Sequence, residues 1–364
     1  MGLDEFASIR QWTSGRQPQE WQRSRGVVIG IGDDAAVVGG PEAGGSEGGE
    51  WQWLLAVDTM VETVHFNEAT MTEEDVGYKA LAANVSDIAA MGGVPRHALV
   101  SVSVPPSYGP ERVRRLYDGL YACADKYGVA VVGGDTTSSP QHLVVAVTVV
   151  GAVEAGRAVP RSGARPGDAV FLTGPVGMSA AGLHYLLAER SKRRRSGDAA
   201  TEPIPLSAAE AEGIAALVRE HRRPQPSVLA GRLLAKRGTC HALNDVSDGV
   251  ASEAWELAEA SGIAIVLNQA RLPRSGTMAA YAHRAGIDPL EWILYGGEDY
   301  VLLGTIAQTD ADSAKSELAE HGIPFYMIGV VEEGEPGVWL TGDGTGKRMA
   351  IAKRGYNHFA ENQR

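Results

Sequence analysis

The sequence predicts an α+β protein of two domains. Its 364 residues exceed the usual size of one domain, and 44% of them are hydrophobic, enough to fill a core in each. Up to about residue 153 the apolar pattern alternates strands with two long helices, which is typical of an α+β unit. Residues 156–168 are rich in Arg, Pro and Gly and indicate a junction. We therefore expect domains at residues 1–154 and 155–364.

The elements of the first domain are apolar runs bounded by Gly, Pro and Asp. We expect strands at residues 27–30, 35–38, 51–57, 99–104, 129–132 and 143–150, and helices at residues 6–12, 73–91 and 111–127. The strand at 129–132 has no polar residue, so we expect it to be buried. Residues 39–50 are rich in Gly and Glu, a composition that predicts a mobile loop.

The second domain shows a similar alternation. We expect strands at residues 169–173, 263–267, 301–306 and 325–331, and helices at residues 178–189, 208–221, 228–236, 250–260 and 310–321. The strand at 325–331 is expected to close the domain. Residues 191–202 contain the run KRRR and predict a solvated, disordered loop. A nucleic-acid patch is the alternative, but the run is short and lacks interleaved aromatic residues.

The composition excludes several classes of function. The net charge is −12, which argues against non-specific binding to nucleic acid or to an anionic membrane. No apolar run approaches the length of a membrane helix, and the N-terminus has no apolar signal core, so we expect a cytoplasmic protein. Cys123 and Cys240 lack metal-site spacing and indicate structural thiols in a reducing compartment.

The most informative stretch is GIGDDAAV at residues 30–37. Its adjacent carboxylates, Asp33 and Asp34, lie between apolar runs, where like charges repel each other and lose hydration. A divalent cation would compensate them. A hairpin turn is the alternative, because Asp and Gly are common turn residues, and on this stretch alone the turn is favoured.

Recurrence of the same pattern favours the metal. Carboxylates beside small residues follow predicted strands or begin helices at several further points: Asp58, Asp87, Asp135, Asp245, Asp248, Glu298 and Asp299. N-capping explains one of Asp245 and Asp248 but not both. Asp87 belongs to a polar Asn-x-Ser-Asp inside an apolar helix, which is either a satisfied core cluster or a ligand site. Scattered single carboxylates fit a magnesium-bridged nucleotide better than a caged structural ion.

The absence of several common motifs limits the kinds of catalytic site that the chain can contain. There is no GxxxxGK[ST], GxSxG or HExxH, and the Gly-rich residues 342–348 read as a surface turn. Phosphoryl transfer here would therefore depend on metal ions. A phosphate acceptor whose second pKa is about 6 is already ionised at neutral pH and needs no general base. Catalysis would then consist of positioning and charge neutralisation.

Taken together, the motifs resemble those of the thiamine-monophosphate kinases. GIGDD at 30–34, VDT at 57–59, HF at 65–66, YKALAANVSDIAAMG at 78–92, GGDTT at 133–137, GRAVPRSG at 156–163, DVSDG at 245–249 and GGEDY at 296–300 come in that family's order. They span nearly the whole chain, and their ordered combination is far more specific than any one of them. The family belongs to the superfamily of aminoimidazole ribonucleotide synthetase and selenophosphate synthetase, whose members bind ATP without a P-loop.

The resemblance implies a fold and an activity. It implies an N-terminal sheet domain that pairs with its copy in a homodimer, a C-terminal α/β sandwich domain, and ATP near the cleft between the domains. The implied reaction is the ATP- and Mg²⁺-dependent phosphorylation of thiamine monophosphate to thiamine diphosphate by direct in-line transfer.

The resemblance also implies roles for particular residues. The implied metal ligands are Asp34, Asp58, Asp87, Asp135, Asp245 and Asp248, of which Asp135 and Asp248 are the implied catalytic pair. The implied nucleotide-binding residues are Gly134, Asp135, Arg161, Ser247 and, for adenine, Tyr117. The implied substrate-binding residues are His65, Glu298 and Tyr356. Glu298 can accept hydrogen bonds from an aminopyrimidine, and Tyr356 can stack on it. Ala56 and Val57 stand where the family often has hydroxyl residues, so a metal or phosphate contact is expected to be missing there.

Two alternatives stay open at this stage. The first is a related ATP-dependent synthetase of the aminoimidazole ribonucleotide synthetase type. Selenophosphate chemistry is disfavoured because no Cys near the N-terminus offers a nucleophile, and the pairing of GGED at 296–299 with Tyr356-x-His-Phe favours the thiamine substrate. The second alternative is a non-catalytic protein that binds nucleotides or cations. Formation of thiamine diphosphate and ADP from ATP and thiamine monophosphate would separate these readings.

Overall fold

A computed structural model shows how the chain folds. It describes residues 17–39, 51–196, 207–342 and 347–355, together with Ile9 and Thr13, and only the backbone of 193–196. Most of the helix expected at 6–12 and of the loop expected at 39–50 lies outside the described residues. So do most of the turn at 342–348 and all of Tyr356.

The N-terminal half contains three described helices and six strands. They are α1 (Gln19–Ser24), β1 (Val27–Ile29), β2 (Ala36–Gly39), β3 (Trp51–Val61), α2 (Glu73–Ala90), β4 (Val94–Val104), α3 (Pro110–Tyr127), β5 (Ala130–Ser138) and β6 (Val144–Glu154). A capping box between Thr72 and Asp75 begins α2, and the left-handed Gly128 ends α3. Strands β3 and β5 are longer than expected. Asp58 and Asp135 therefore lie within strands and not at their ends.

The six strands form one sheet in the order β1-β2-β3-β6-β4-β5. Helix α2 covers one face, and the side chains of Leu54, Ala56 and Met60 alternate toward it. The opposite face exposes apolar side chains: Leu55, Val57, Leu99 and Val132. The expectation that residues 129–132 form a buried strand is wrong for the single chain, because β5 is an edge strand and Val132 is 59% exposed.

Helices α2 and α3 pack closely because glycines remove side chains where the backbones meet. A Cβ on Gly77 would stand 1.8 Å from the Leu116 carbonyl oxygen, and one on Gly119 would stand 1.8 Å from that of Glu74. The two helices thereby share the layer over the sheet. This contact sets the position of α2, which carries Asn84, Ser86 and Asp87.

The C-terminal half contains the remaining elements. They are β7 (Ala169–Leu172), α4 (Met178–Ser196), α5 (Ala208–Arg222), α6 (Val228–Arg237), β8 (Cys240–Asp245), α7 (Val250–Ser261), β9 (Ala264–Asn268), α8 (Gly276–Ala285), α9 (Pro289–Tyr295), β10 (Leu302–Ile306), α10 (Ala311–Glu320), β11 (Tyr326–Glu332), β12 (Gly337–Thr341) and β13 (Arg348–Ala350). Seven strands pair in the order β13-β12-β9-β11-β7-β10-β8.

Apolar clusters fill both faces of this second sheet, as expected for an α/β sandwich. Strands β12 and β13 follow β11, so the expectation that residues 325–331 close the domain is wrong. The expectation of a disordered loop from residue 191 is also wrong as far as Ser196, because α4 extends to that residue. Helices α8 and α9 were not anticipated.

The two halves touch along α2. Helix α6 lies against its C-terminal end, where a Cβ on Gly231 would stand 2.1 Å from the Ala89 carbonyl oxygen. Arg232 donates to the Gly92 carbonyl oxygen at 2.7 Å and to Glu154 Oε1 at 2.6 Å. The boundary predicted after residue 154 stays a prediction; β6 ends at Glu154 and β7 begins at Ala169. Among the described residues, every helix is too short or too polar to cross a bilayer.

The glycine contact between α2 and α3 can be tested directly. We expect Gly119→Ala to lower the free energy of unfolding by about 1–3 kcal/mol, because the added methyl overlaps the Glu74 carbonyl. Urea denaturation measures the change. Gly276→Ala is the matched control, since nothing lies within 4 Å of its Cβ position, and we expect it to be neutral or stabilising. A Gly119→Ala protein as stable as wild type would contradict the close packing.

Candidate metal and nucleotide site

Three carboxylates from distant parts of the chain converge where the two halves meet. Asp34 precedes β2, Asp87 lies in the last turns of α2, and Asp245 is the last residue of β8. One oxygen of each lies within 4.8 Å of the others. Ser86 Oγ donates to Asp245 Oδ2 at 2.5 Å, which ties α2 directly to β8. Segments about 50 and 160 residues apart in sequence thus build one acidic cluster, defined here as Asp34, Asp87 and Asp245.

Burial makes this cluster electrostatically costly without a cation. Loss of hydration raises the pKa of Asp34, and burial together with the neighbouring acids raises the pKa values of Asp87 and Asp245 well above the usual range. Asp34 Oδ2 is buried and has no hydrogen-bond partner among the described residues. Mg²⁺ prefers carboxylate oxygens as ligands, and a buried oxygen without a partner among like charges is available to bind it. The three acids therefore fit that ion.

Arg161 supplies one positive charge to the cluster. Its guanidinium pairs with Asp34 on one side and with Glu256 on the other, where Nη1 lies 2.8 Å from Oε2. Its backbone N–H donates to Asp33 Oδ2 at 3.2 Å. Burial and the Asp34 charge raise the pKa of Asp33 to about 6. Arg161 thus ties the Asp33–Asp34 turn to α7.

Asp58 lies beside the cluster. Strand β3 directs its side chain to the same face as the buried Ala56 and Met60, the face that α2 covers. Its backbone N–H donates to Asn84 Oδ1 at 2.9 Å. Repulsion from Asp58 contributes to the raised pKa of Asp87. Three polar residues inside α2 therefore have distinct uses: Asn84 holds β3, Ser86 holds β8, and Asp87 faces the acids.

The loop after β8 is held by a buried acid that the sequence did not reveal. Glu253 Oε1 accepts from the Asp248 backbone N–H at 2.8 Å and from Ser247 Oγ at 3.4 Å. Its other oxygen accepts from Asn244 Nδ2 at 2.6 Å. Burial and the nearby acids Glu256 and Asp248 raise the pKa of Glu253 well above the usual range. Glu253 therefore sets the direction of the Ser247–Asp248 backbone.

The GGEDY segment folds against that loop. The Glu298 N–H donates to the Ser247 carbonyl at 2.7 Å, and the Tyr300 N–H donates to that of Val246 at 2.9 Å. Gly297 is required because a Cβ there would stand 2.2 Å from the Ser247 carbonyl oxygen. Glu298 and Tyr300 adopt positive φ angles of 65° and 52°. The Glu298 carboxylate pairs with Lys79 Nζ of α2 at 2.6 Å.

Two further residues of the segment have distinct environments. Asp299 accepts from the backbone N–H groups of Gly177 and Ser179 at the start of α4, and burial raises its pKa to about 7. Asp299 therefore acts as a helix cap. Burial and the charges of Glu298 and Asp58 raise the pKa of Tyr300 well above the usual range. Tyr300 thus belongs to the surroundings of the acidic cluster.

Other predicted site residues lie apart from the cluster in the single chain. His65 lies in the loop after β3, where its Nδ1 accepts from the Val61 N–H at 2.9 Å, which leaves the ring proton on Nε2. Tyr117 lies on α3 beside Tyr121. Gly134 and Asp135 lie on the edge strand β5, and Asp135 is exposed. Tyr356 lies outside the described residues.

The position of Asp135 follows from the strand register. Asp58 pairs with Val147 of β6, Val147 with Val100 of β4, and Val100 with Gly134 of β5. Three strand spacings, about 14 Å, therefore separate β3 from β5. Val100 is buried on the α2 side, so the next residue along, Asp135, points to the opposite, exposed face.

Residues that sequence reasoning missed are buried polar groups that position the acids: Lys79, Asn244, Glu253 and Glu256. A signal for the two glutamates exists in hindsight. They recur at i and i+3 on a helix whose other buried residues are mostly apolar and that begins directly after DVSDG, and a buried carboxylate needs a partner. Lys79 offered a similar signal within the apolar stretch of α2.

Comparisons with known proteins agree with this architecture. The family models of the AIR synthase related protein match twice, the N-terminal domain at residues 32–153 and the C-terminal domain at residues 165–340. The thiamine-monophosphate kinase of Bacillus subtilis is 40% identical over 362 residues, covering 98% of this chain and 100% of the relative. The thiamine-monophosphate kinase of Aquifex aeolicus is 35% identical and covers 90% of this chain and 92% of the relative.

A solved structure is similar to this chain over nearly its whole length. It is described as AaThiL complexed with AMPPCP and TMP, and it superimposes with a TM-score of 0.77. Sequence identity is 32%, and the match covers 98% of this chain and 97% of that one. The similarity therefore extends over both sheets.

The pH dependence of metal binding tests the acidic cluster. Raised pKa values mean that the folded protein binds protons more tightly than the unfolded chain. The contribution of these acids to stability is therefore present below the ordinary value of 3.8 and is lost as pH rises through the raised values. Mg²⁺ replaces those protons. We expect Mg²⁺ to stabilise the protein by about 1–3 kcal/mol at about pH 8 and by much less at about pH 5.5.

Thermal unfolding in EDTA and in excess Mg²⁺ measures this difference. Asp245→Asn serves as the matched variant, because it removes one ligand and one repelling charge together. We expect it to lose most of the Mg²⁺ effect while being no less stable than wild type in EDTA at about pH 8. An Mg²⁺ effect of equal size at both pH values, or one that Asp245→Asn leaves intact, would count against a metal at the cluster.

Proposed function

The chain belongs to the thiamine-monophosphate kinases of the AIR synthase related family, and we propose that it transfers the γ-phosphoryl group of ATP to thiamine monophosphate, giving thiamine diphosphate and ADP. The observation that carries this proposal is the acidic cluster of Asp34, Asp87 and Asp245, assembled from both halves of the chain. A triphosphate brought there needs divalent cations, and nothing else in the described cleft supplies enough positive charge.

Asp34, Asp87 and Asp245 would hold Mg²⁺ together with Asp58 and Asp248 from the adjoining strand and loop. Bound Mg²⁺ supplies charge neutralisation for the phosphates and for the leaving β-phosphate. The protein's own contribution is rigidity, because Ser86, Asn84 and Glu253 fix three of the elements that carry these acids. The expected loss of a contact at Ala56 and Val57 stays a prediction.

Arg161 and the Ser247–Asp248 loop bind the nucleotide phosphates. The guanidinium pairs with Asp34 and Glu256, and the Glu256 pair would keep it in the cleft when Asp34 serves as a metal ligand. Arg161 can then present its free N–H groups to phosphate oxygens. The Ser247 hydroxyl, which donates to Glu253 Oε1 in the structure, would turn to a phosphate oxygen, while the bond from the Asp248 N–H to Glu253 holds the backbone in place.

The acceptor is an oxygen of the thiamine monophosphate phosphate group. Because this oxygen is ionised at neutral pH, no residue has to remove a proton from it. Transfer therefore requires that the residues align the acceptor with the γ-phosphorus and exclude water. Asp248, in the loop between β8 and α7, would be a metal ligand near the acceptor.

The thiamine moiety binds beyond the phosphates, where GGEDY meets α2. Glu298 accepts hydrogen bonds from the aminopyrimidine, and Tyr356 stacks on the ring. His65 contributes a donor from Nε2, since its Nδ1 already accepts from Val61. The cationic thiazolium is attracted by the strongly negative surroundings.

Asp135 and Gly134 complete the site from a second copy of the chain. In the single chain, Asp135 is exposed on the outer face of the first sheet, three strand spacings from Asp58. The same face exposes apolar side chains, Leu55, Val57, Leu99 and Val132. A homodimer that packs two such faces would cover these residues and bring Asp135 of the partner subunit toward the metals. Tyr117 would contact adenine.

The remaining features of the proposal follow from this assignment. Nucleic acid and membranes are not partners, given the net charge of −12. The reducing cytoplasm is the proposed location. With a domain boundary between residues 154 and 155, the first sheet with Asp58 and Asp135 belongs to the first domain, and the GGEDY segment belongs to the second.

Mixed dimers test both the chemistry and the shared site. Wild type should convert ATP and thiamine monophosphate to thiamine diphosphate, while Asp135→Asn and Asp87→Asn should each lose turnover and stay folded. Co-expression of the two variants should restore activity to about a quarter of wild type, because half the dimers are mixed and each mixed dimer has one intact site.

Differently tagged chains allow the mixed dimer to be purified and its product to be quantified by chromatography. A mixed dimer without activity, formed from two well-folded variants, would place Asp135 in its own chain's site. Wild type that binds ATP but forms no product would favour a non-catalytic nucleotide-binding protein.

The outer face of the sheet offers a separate test of the dimer. We expect Leu99→Lys to produce monomers and to lower turnover, because it buries a charge between the two faces. Light scattering after gel filtration measures the mass. Leu229→Lys is the control, since this residue is 50% exposed on α6, away from the first sheet. A Leu99→Lys dimer with full activity would contradict this interface.

A further inference from the structure

The side chain of Lys79 is completely buried and serves no part of the reaction described so far. Its side-chain exposure is 0%, and it is among the largest fully buried side chains of the described residues. A buried ammonium is stable only beside a compensating charge. The carboxylate that pairs with it is Glu298, at 2.6 Å.

His221 approaches the same carboxylate oxygen from α5. Its Nδ1 lies 3.4 Å from Glu298 Oε2 and 3.3 Å from Ser179 Oγ. Burial and the Lys79 charge lower the pKa of His221 well below its usual range, so the ring is neutral. The Glu298 carboxylate thus contacts a cation and an imidazole, while 28% of its side chain is exposed.

The backbone of Glu298 alone does not hold that carboxylate. Glu298 adopts a φ of 65°, a conformation that costs free energy in any residue with a Cβ. A long side chain on such a segment has several rotamers available. Lys79 and His221 select one of them, and Lys79 does so from the N-terminal half of the chain.

Helix α2 also fixes a distance. Lys79 and Ser86 are seven residues apart on one face of the helix, so about 10 Å separates their contacts along the axis. One contact holds Glu298 and the other holds Asp245 of the acidic cluster. About the same length separates the aminopyrimidine from the phosphate in an extended molecule of thiamine monophosphate.

From this geometry we propose that Lys79, assisted by His221, is a positioning residue that aims Glu298 at the aminopyrimidine and makes α2 the spacer between the base and phosphate ends of the substrate. This inference rests on the proposed function. It predicts that loss of Lys79 affects recognition of the base and leaves recognition of ATP unchanged.

Steady-state kinetics with two substrates test the inference. We expect Lys79→Met to raise the KM for thiamine monophosphate about tenfold to a hundredfold, with the KM for ATP changed less than about threefold. An analogue that lacks the pyrimidine amino group should bind wild type poorly, whereas Lys79→Met should bind the analogue and the true substrate alike. A purely structural role would not produce that convergence.

Four further variants complete the test. Glu298→Gln and the double variant Lys79→Met with Glu298→Gln should show the same KM, because Lys79 acts only through Glu298. His221→Gln should raise the KM several-fold, and it provides the test if Lys79→Met does not fold. Arg232→Met is the control, since it breaks the partly buried pair with Glu154 between the two halves and should leave the KM for thiamine monophosphate unchanged.

The outcomes separate the two levels of the proposal. Normal wild-type turnover with an unchanged KM in Lys79→Met and His221→Gln would overturn this inference alone. So would a double variant much worse than Glu298→Gln. Wild type that forms no thiamine diphosphate would overturn the proposed function and this inference with it.

Discussion

The repulsion among buried carboxylates is the constraint on which the rest of the structure depends. One oxygen each of Asp34, Asp87 and Asp245 lies within 4.8 Å of the others. Two unit charges about 4 Å apart in a partly shielded protein environment interact by about 4 kcal/mol, several times the value of a surface ion pair. Arg161 offsets only part of this repulsion. The uncompensated negative charge at this point of the folded chain therefore favours binding of a cation, and Mg²⁺ bound to a triphosphate would supply that cation.

Helix α2 connects this point to the rest of the molecule. Its Gly77 side lies against α3, and its opposite side carries Lys79, Ser86 and Asp87 toward the second sheet. The C-terminal end of the helix contacts α6 through backbone atoms near Gly231. A shift of α2 would therefore move the metal ligands, the Asp245 strand and the Glu298 carboxylate together. This coupling explains why polar residues are kept inside an apolar helix.

The sequence predicted the family and the fold class better than it predicted the long-range contacts of individual residues. The α+β class and most helices follow from apolar periodicity, which is a local signal. Local patterns also marked Asp34, Asp87 and Asp245 as candidate acids, and the structure brings them together, while their role as metal ligands stays a prediction. The exposure of Val132 could not be read from its apolar strand, because edge strands and central strands have similar compositions. The Glu253 and Lys79 contacts depend on long-range packing that single-chain periodicity does not encode. The loop predicted from residue 191 is a helix as far as Ser196. The prediction failed there because the charged end of a helix and a solvated loop have similar compositions.

In the proposed site, acids that are distant in sequence hold divalent metal for a nucleotide. The most direct test is the anomalous diffraction of Mn²⁺ in crystals grown with a non-hydrolysable ATP analogue. We expect a strong anomalous peak between Asp34, Asp87 and Asp245, with the Arg161 guanidinium turned from Asp34 toward a phosphate. Crystals with bound nucleotide, no anomalous peak at these carboxylates and an intact Arg161–Asp34 pair would contradict it.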